Sequence, residues 1–439
     1  MKHRIALGVA ALLGAIAVVL GGDLGRDSSF VASASAVEDS LGRDAVSQLV
    51  EQLGTGSSGA AIRRLERAVE REPDSQTLAL LGLGYQQLAR ESGDPSYLER
   101  AGRALDRALA ADSGDPVALT GLAQLAVAQH RFGEAVRPAR RALAIDPENG
   151  AALGALGDAL AATGRYRKAF RAYDRLAAFG PSVAAYARVA GARQLLGRRE
   201  AALDALELAL EAGSGIPEQE AWALVQYGNL LLSVGRAEAA SAAFKRALDL
   251  DRGYVHANAG LARVDAVKGR FDAAATRLAR VLERLPAPQY AIMLGDVQAR
   301  AGRPRAARRS YAVVEAIERL LAAGGIRTEL QTALYDLDRG VDLDDALGRA
   351  RAAYRSAPSV AAADAVAWGL VRTGRCAEAR AWSQKALRLG TEDALFHFHR
   401  GMIERCLGSP EATHWFRRAL ELDAGFSIRW EPLARRLAS

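Results

Sequence analysis

Cysteine, lysine and the aromatic residues are scarce in this chain, and each scarcity narrows what it can be. Two Cys, five Lys and ten Phe occur in 439 residues. Neither cysteine is near the N-terminus, which excludes a lipid anchor of the bacterial lipoprotein type. The aromatic share is 6% against 50% hydrophobic overall, so any core consists mainly of Ala, Leu and Val packed closely. The positive charge is almost wholly arginine and is spread in pairs such as Arg63-Arg64, Arg140-Arg141, Arg198-Arg199, Arg308-Arg309 and Arg417-Arg418. Acids alternate with these pairs, so the net charge of +7 reads as a solvated face and not as a nucleic-acid surface.

Chemical motifs are absent as well. There is no Gly-rich phosphate loop, no Gly-x-Ser-x-Gly turn and no carboxylate pair that stands out from the surface charge. His397, His399, Cys406 and His414 form the one cluster resembling metal ligands. Two positions apart on a helix, the two neighbouring histidines diverge, whereas a helical metal site needs a spacing of three or four. Hence no catalytic residue, metal or cofactor is expected.

At the N-terminus, Lys2, His3 and Arg4 precede an uncharged apolar run from Ile5 to Leu20. A basic start followed by an apolar core is the layout of an export signal. The run lies between the lengths typical of a cleaved signal and of a membrane-spanning helix. Residues 1–22 are therefore read as a signal peptide or an uncleaved anchor, with a candidate cleavage pattern at Ala34-Ser35-Ala36. In either case the basic residues stay in the cytoplasm and the remainder is exported. Membrane contact is expected through this segment only. Residues 23–40 read as a flexible spacer rich in Ser, Gly and Ala.

From about residue 41 one pattern recurs. A helix-like apolar stretch leads to Gly-Arg, then to a pivot alanine, a large residue and Ala-Leu, as at Gly164-Arg165, Gly235-Arg236, Gly269-Arg270 and Gly374-Arg375. The pivot alanines are Ala61, Ala101, Ala135, Ala169, Ala202, Ala240, Ala274, Ala307, Ala346, Ala379 and Ala412. Most intervals are 33 or 34 residues, and three run from 38 to 40. The period and residues such as Leu153, Leu156, Gly157, Leu160, Ala169, Tyr173, Leu176 and Pro181 resemble the tetratricopeptide repeat family. The resemblance implies an all-α fold: a right-handed superhelical solenoid of about eleven stacked antiparallel helix hairpins. The array spans 41–426, with 427–439 as a C-terminal solvating helix. The long intervals, at Glu91–Ser96, Gly213–Glu218 and Ala322–Ile326, are expected to be loops dividing it into blocks 41–115, 116–216, 217–325 and 326–426.

The resemblance also implies a function. In that family the first helix of each hairpin lines a concave groove that holds a segment of another protein. Transferred position by position, the groove lining here includes Trp222, Asn229, Arg263, Asp296, Tyr335, Trp368, Phe398 and Met402. Large aromatics and arginine in a recess are the usual energetic anchors of an interface. For Trp222, Trp368 and Phe398 packing against neighbouring helices is the competing expectation. No Lys stands one turn before Asn229, where Val225 is found, so binding of chaperone tails is not supported.

The expected function is a non-catalytic, extracytoplasmic scaffold binding a protein or peptide. The alternative is an RNA-binding helical solenoid, which would need a continuous basic stripe that Asp158, Asp296, Asp338 and Asp364 interrupt. In an exported chain, Cys376 and Cys406 invite a disulfide, with two separate small core residues as the competing reading. The distance between their Cα atoms decides between these readings.

Overall fold

The computed structural model describes residues 58–92, 94–323 and 326–439; the expected signal or anchor, the expected spacer and the start of the expected array lie outside them. Among the described residues there are 22 α-helices and no strand. None of these helices is long and apolar enough to cross a membrane.

The helices fall into two compact units. Unit 1 comprises the described residues up to Arg188 together with Arg319–Arg327. It contains α1 (Ser58–Arg71), α2 (Ser75–Ser92), α3 (Ser96–Ala111), α4 (Pro116–Ala128), α5 (Phe132–Ile145), α6 (Gly150–Ala162), α7 (Tyr166–Phe179) and the start of α8 (Val183–Leu195).

Unit 2 comprises Val189–Glu318 and Thr328–Ser439. It holds the end of α8, then α9 (Arg199–Ala212), α10 (Pro217–Ser233), α11 (Ala237–Leu250), α12 (Val255–Val267), α13 (Phe271–Arg284), α14 (Pro288–Arg300) and most of α15 (Pro304–Ala323). The later helices are α16 (Glu329–Arg339), α17 (Leu343–Ser356), α18 (Val360–Arg372), α19 (Cys376–Ala386), α20 (Ala394–Cys406), α21 (Ala412–Leu422) and α22 (Glu431–Ala438).

Even-numbered helices up to α20 are first helices of hairpins, and odd-numbered ones are second helices. The reason for the period is steric. Ten of the eleven pivot alanines are buried, nine of them with no exposure at all, and Ala412 is half-buried. A side chain larger than methyl at the ten buried sites would push two helices apart. Across from the pivots, glycine on a first helix makes room for a ring on the second. A Cβ on Gly228 would come within 2.7 Å of the Phe244 ring, and one on Gly401 within 2.6 Å of Phe416.

Most turns inside the hairpins hold a left-handed residue, and glycine usually supplies it, as at Gly164 (φ 70°) and Gly374 (φ 77°). In the α4–α5 turn, His130 takes this conformation instead (φ 56°). Its imidazole Nδ1 lies 2.6 Å from the carbonyl of Arg327, which ties down a backbone geometry unfavourable to a side chain. Several first helices begin with a cap or a proline. Asp115 accepts from the amides of Val117 and Ala118, Asn149 from Ala152, and Asp393 from Leu395 and Phe396.

Turns stand where loops are expected, as at residues 213–216, but they are no longer than turns such as 146–149. The residues added in the three long repeat intervals mostly lengthen helices: α2 has 18 residues, α10 has 17 and α15 has 20, against 13 or 14 for most others. Extending a helix pairs each new backbone amide at once, which a longer loop cannot do.

Candidate functional site

All eight proposed groove residues belong to unit 2, on the first helices α10 to α20. Unit 2 closes on itself. Thr391, in the loop before α20, donates its hydroxyl to the carbonyl of Leu195 at 2.7 Å, and Arg199 donates to the carbonyl of Leu422 at 2.8 Å. From Leu422 the chain does not stop at the last hairpin. Residues 423–431 cross to the inner helices before α22 begins.

First helices from α12 to α20 meet this tail with different chemical groups, and α10 supplies a partner to one of them. On α10 and α12, Asn229 accepts from the Arg263 guanidinium at 3.1 Å. Arg263 is half-buried; burial pulls its pKa down, and the Asp423 carboxylate opposes that. Asp423 in turn is pushed up by burial, against the pull of the Gly425 amide and of Arg263. Gly425 lies against Val267 so closely that a Cβ would stand 2.6 Å from a valine methyl. Ile428 packs on the apolar cluster of Ala262, Ala266, Leu278, Leu294 and Val297 from α12 to α14.

The centre of the site is acidic. Asp296 on α14 accepts the Tyr311 hydroxyl at 2.6 Å and has the Arg429 guanidinium 3.9 Å away. Burial pushes this carboxyl up, and Tyr311 and Arg429 hold it down. Asp338 on α16 accepts two indole N–H groups on one oxygen, from Trp368 and Trp430, both at 2.9 Å. Its backbone carbonyl accepts from Arg429 at 3.0 Å and from Arg372 at 3.3 Å. Glu431 lies 3.8 Å from Arg300 of α14.

Aromatic contacts complete the floor. Trp430 stands edge-on to Trp368 with ring centres 5.5 Å apart, and Phe426 and Trp430 flank Phe398 at 5.6 and 5.7 Å. Beneath them Trp368 stacks on His399 at 4.3 Å, and His399 Nδ1 is 2.8 Å from Asp364. Burial lowers the His399 pKa, but the Asp364 carboxylate outweighs it, so the imidazole is raised above its ordinary value. Met402 packs on the same cluster.

The structure therefore brings most of the proposed residues together, but it does not leave them open. Trp368 and Phe398 have no exposed surface and Tyr335 has 8%; Trp368 and Phe398 are covered by the chain's own Phe426 and Trp430. Tyr335 packs on Tyr311, to whose carbonyl it donates at 3.3 Å, with the Arg339 guanidinium 5.3 Å from its ring. Trp222 and Asn229 on α10 remain half-buried. A purely solvating role for 427–439 is corrected. Arg435 and Arg436 face solvent, but Ala434 is fully buried and Trp430, Leu433 and Leu437 pack on the Trp368–Phe398 cluster. The tail as an occupant was missed. Its signal was Phe426, Ile428, Trp430, Leu433 and Leu437, too many apolar residues for a cap helix exposed on every side.

Cys376 and Cys406 form a disulfide, with Cα atoms 6.0 Å apart, joining the start of α19 to the end of α20. Among the described residues no group of His, Cys, Asp and Glu is arranged to hold a metal ion.

Two stretches, residues 126–195 and 231–300, match the tetratricopeptide repeat family. No curated protein matches the chain. Among solved structures, the type IV pilus biogenesis factor PilW is similar at 19% identity, covering 50% of this chain and 98% of its own, with a TM-score of 0.38. MamA is similar at 22% identity over 37% of this chain and 94% of its own, with a TM-score of 0.30. Human IFIT1, solved as a dimer with a capped RNA, is similar at 15% identity over 86% and 90%, with a TM-score of 0.47. Tetratricopeptide repeats thus occupy these two stretches, and the same buried pivots and left-handed turns continue on both sides of them.

Proposed function

We propose that this chain is an exported, non-catalytic scaffold that binds a partner protein or peptide on the inner face of unit 2. The observation that carries the reading is the tail itself. Residues 423–431 lie across successive first helices, which hold them by charge, hydrogen bonds and ring contacts. A face that grips one extended segment this way has the chemistry to grip another. Export is supported by the basic start and apolar run of residues 1–22 and by a disulfide, which favours an oxidising compartment. The membrane is engaged through that N-terminal segment, as a lasting anchor or only until cleavage.

The test is capture of a partner from an envelope fraction on the immobilised chain. Trp222 and Asn229 lie half-buried on α10, apart from the buried aromatic floor. Replacing both with Ala is expected to cut capture about tenfold or more while leaving the helical circular dichroism unchanged. Capture at the wild-type level by that variant refutes the assignment to the inner face.

A further inference from the structure

Without an occupant the first helices of unit 2 would be left with polar groups lacking their partners. The half-buried Asp296 and the Asp338 carbonyl face Arg429, the Asp338 carboxylate faces the Trp430 indole, and the exposed Arg300 faces Glu431. Stripping a recessed charge of its partner is costly, so whatever replaces the tail has to supply the same pattern. The order along the tail is an acid, a small residue against Val267, an aliphatic on the α12–α14 cluster, an arginine, an indole on Trp368 and a second acid.

The tail is also built to leave. Every residue from Asp423 to Leu433 except the exposed Ala424 is half-buried, whereas the flanking Leu422 and Ala434 are buried. Its outer charge pairs are long, at 3.9 Å for Arg429–Asp296 and 3.8 Å for Arg300–Glu431.

We propose that the partner of unit 2 carries an extended segment with this acid–small–aliphatic–arginine–aromatic–acid chemistry and binds by taking the place of residues 423–431. The inference rests on the inner-face reading above and specifies its ligand. Occupancy by the chain's own tail lowers the apparent affinity for such a segment by the fraction of time the face is free.

The test uses the full chain and, as probe, a fluorescein-labelled synthetic peptide with the sequence of residues 423–432. Fluorescence anisotropy of the wild type is expected to show weak binding. The double variant Arg429→Ala/Trp430→Ala, whose own tail competes poorly, is expected to bind the peptide about tenfold more tightly. Adding Asp296→Asn and Arg300→Ala to that variant is expected to reverse the gain. Should the double variant lose its helical circular dichroism, Gly425→Leu serves instead: it drives the tail off Val267 and keeps both Arg429 and Trp430.

Equal affinity in wild type and tail variants overturns the proposal. So does equal binding of a scrambled peptide, or a concentration-dependent dimer in which a second copy's tail fills the face. If no variant binds the peptide, yet envelope capture still depends on Trp222 and Asn229, the ligand chemistry is wrong and the inner-face function stands.

Discussion

The two units use one repeat to different ends. In unit 1 the polar residues of the first helices bind the helices to one another. Asp158 of α6 receives Arg188 of α8 through both oxygens, at 2.9 to 3.2 Å, and the Tyr173 hydroxyl at 3.0 Å. Gln86 donates to the carbonyl of Gly121, and Asn149 to the Thr120 hydroxyl. In unit 2 the first helices carry Asp296, Asp338 and Trp368, and these turn to the chain's own tail. Where a first helix places its polar groups decides whether the face is glued shut or left able to receive a segment.

Breaking the unit 1 pair is expected to have the largest effect. The Arg188 and Asp158 side chains are 8% and 1% exposed. Burial alone would lower the Arg188 pKa, and the Asp158 carboxylate outweighs it, keeping the guanidinium charged. Arg188→Ala strands a carboxylate in the interior, and the expected loss is about 3–5 kcal/mol. Two denaturation transitions, one per unit, would separate the outcomes: the unit 1 transition moves and the unit 2 transition stays. Loss from both would show that the units do not unfold independently. Replacing both residues by apolar ones of similar volume, Asp158→Leu with Arg188→Met, is expected to restore most of the stability.

The next effect falls on unit 2 alone. The disulfide closes a loop with a sequence separation of 30 residues, and the chain-entropy estimate for that length is about 3–4 kcal/mol. Cys376→Ala/Cys406→Ala, or reduction, is expected to lower the unit 2 transition by up to that amount, read by urea titration. A shift in unit 1 instead would contradict the division between the units.

Much of this contrast was legible in the sequence, and part was not. The pivot alanines and turn glycines announce the hairpins because close approach and a left-handed turn admit so few residue types. The resemblance to the tetratricopeptide repeat family implied lining positions for Asn229, Arg263, Asp296 and Trp368. Whether they face water, a neighbour or a returning tail could not be read, since that depends on contacts hundreds of residues apart in sequence, such as Arg199 with Leu422. The same limit applies to Trp368. The resemblance implied a place on a lining helix, and contacts with His399, Phe398 and Trp430 make it core. Length misled in the other direction: extra residues in a repeat read as loops, while helix extension is the cheaper use of them.

The smallest effect separates the units by pH. Glu318, near the end of α15 in unit 2, is half-buried beside Asp336 and Glu315. Burial and the neighbouring Asp336 raise its carboxyl from 4.5 to about 7, and Arg349 opposes this only in part. That arginine is already engaged by Asp336 and Asp345. A carboxyl with a folded pKa above its unfolded value is tolerated while protonated and costs stability once ionised. The cost therefore appears as pH rises from about 4.5 to about 7 and stays constant above. Glu318→Gln removes it, with no gain expected at pH 4 and a gain of about 1 kcal/mol at pH 8, after allowance for solvent screening of a half-exposed group. Urea titrations at the two pH values check this in the unit 2 transition. An equal gain at both would mean that the glutamate is disfavoured by its shape and not by its charge.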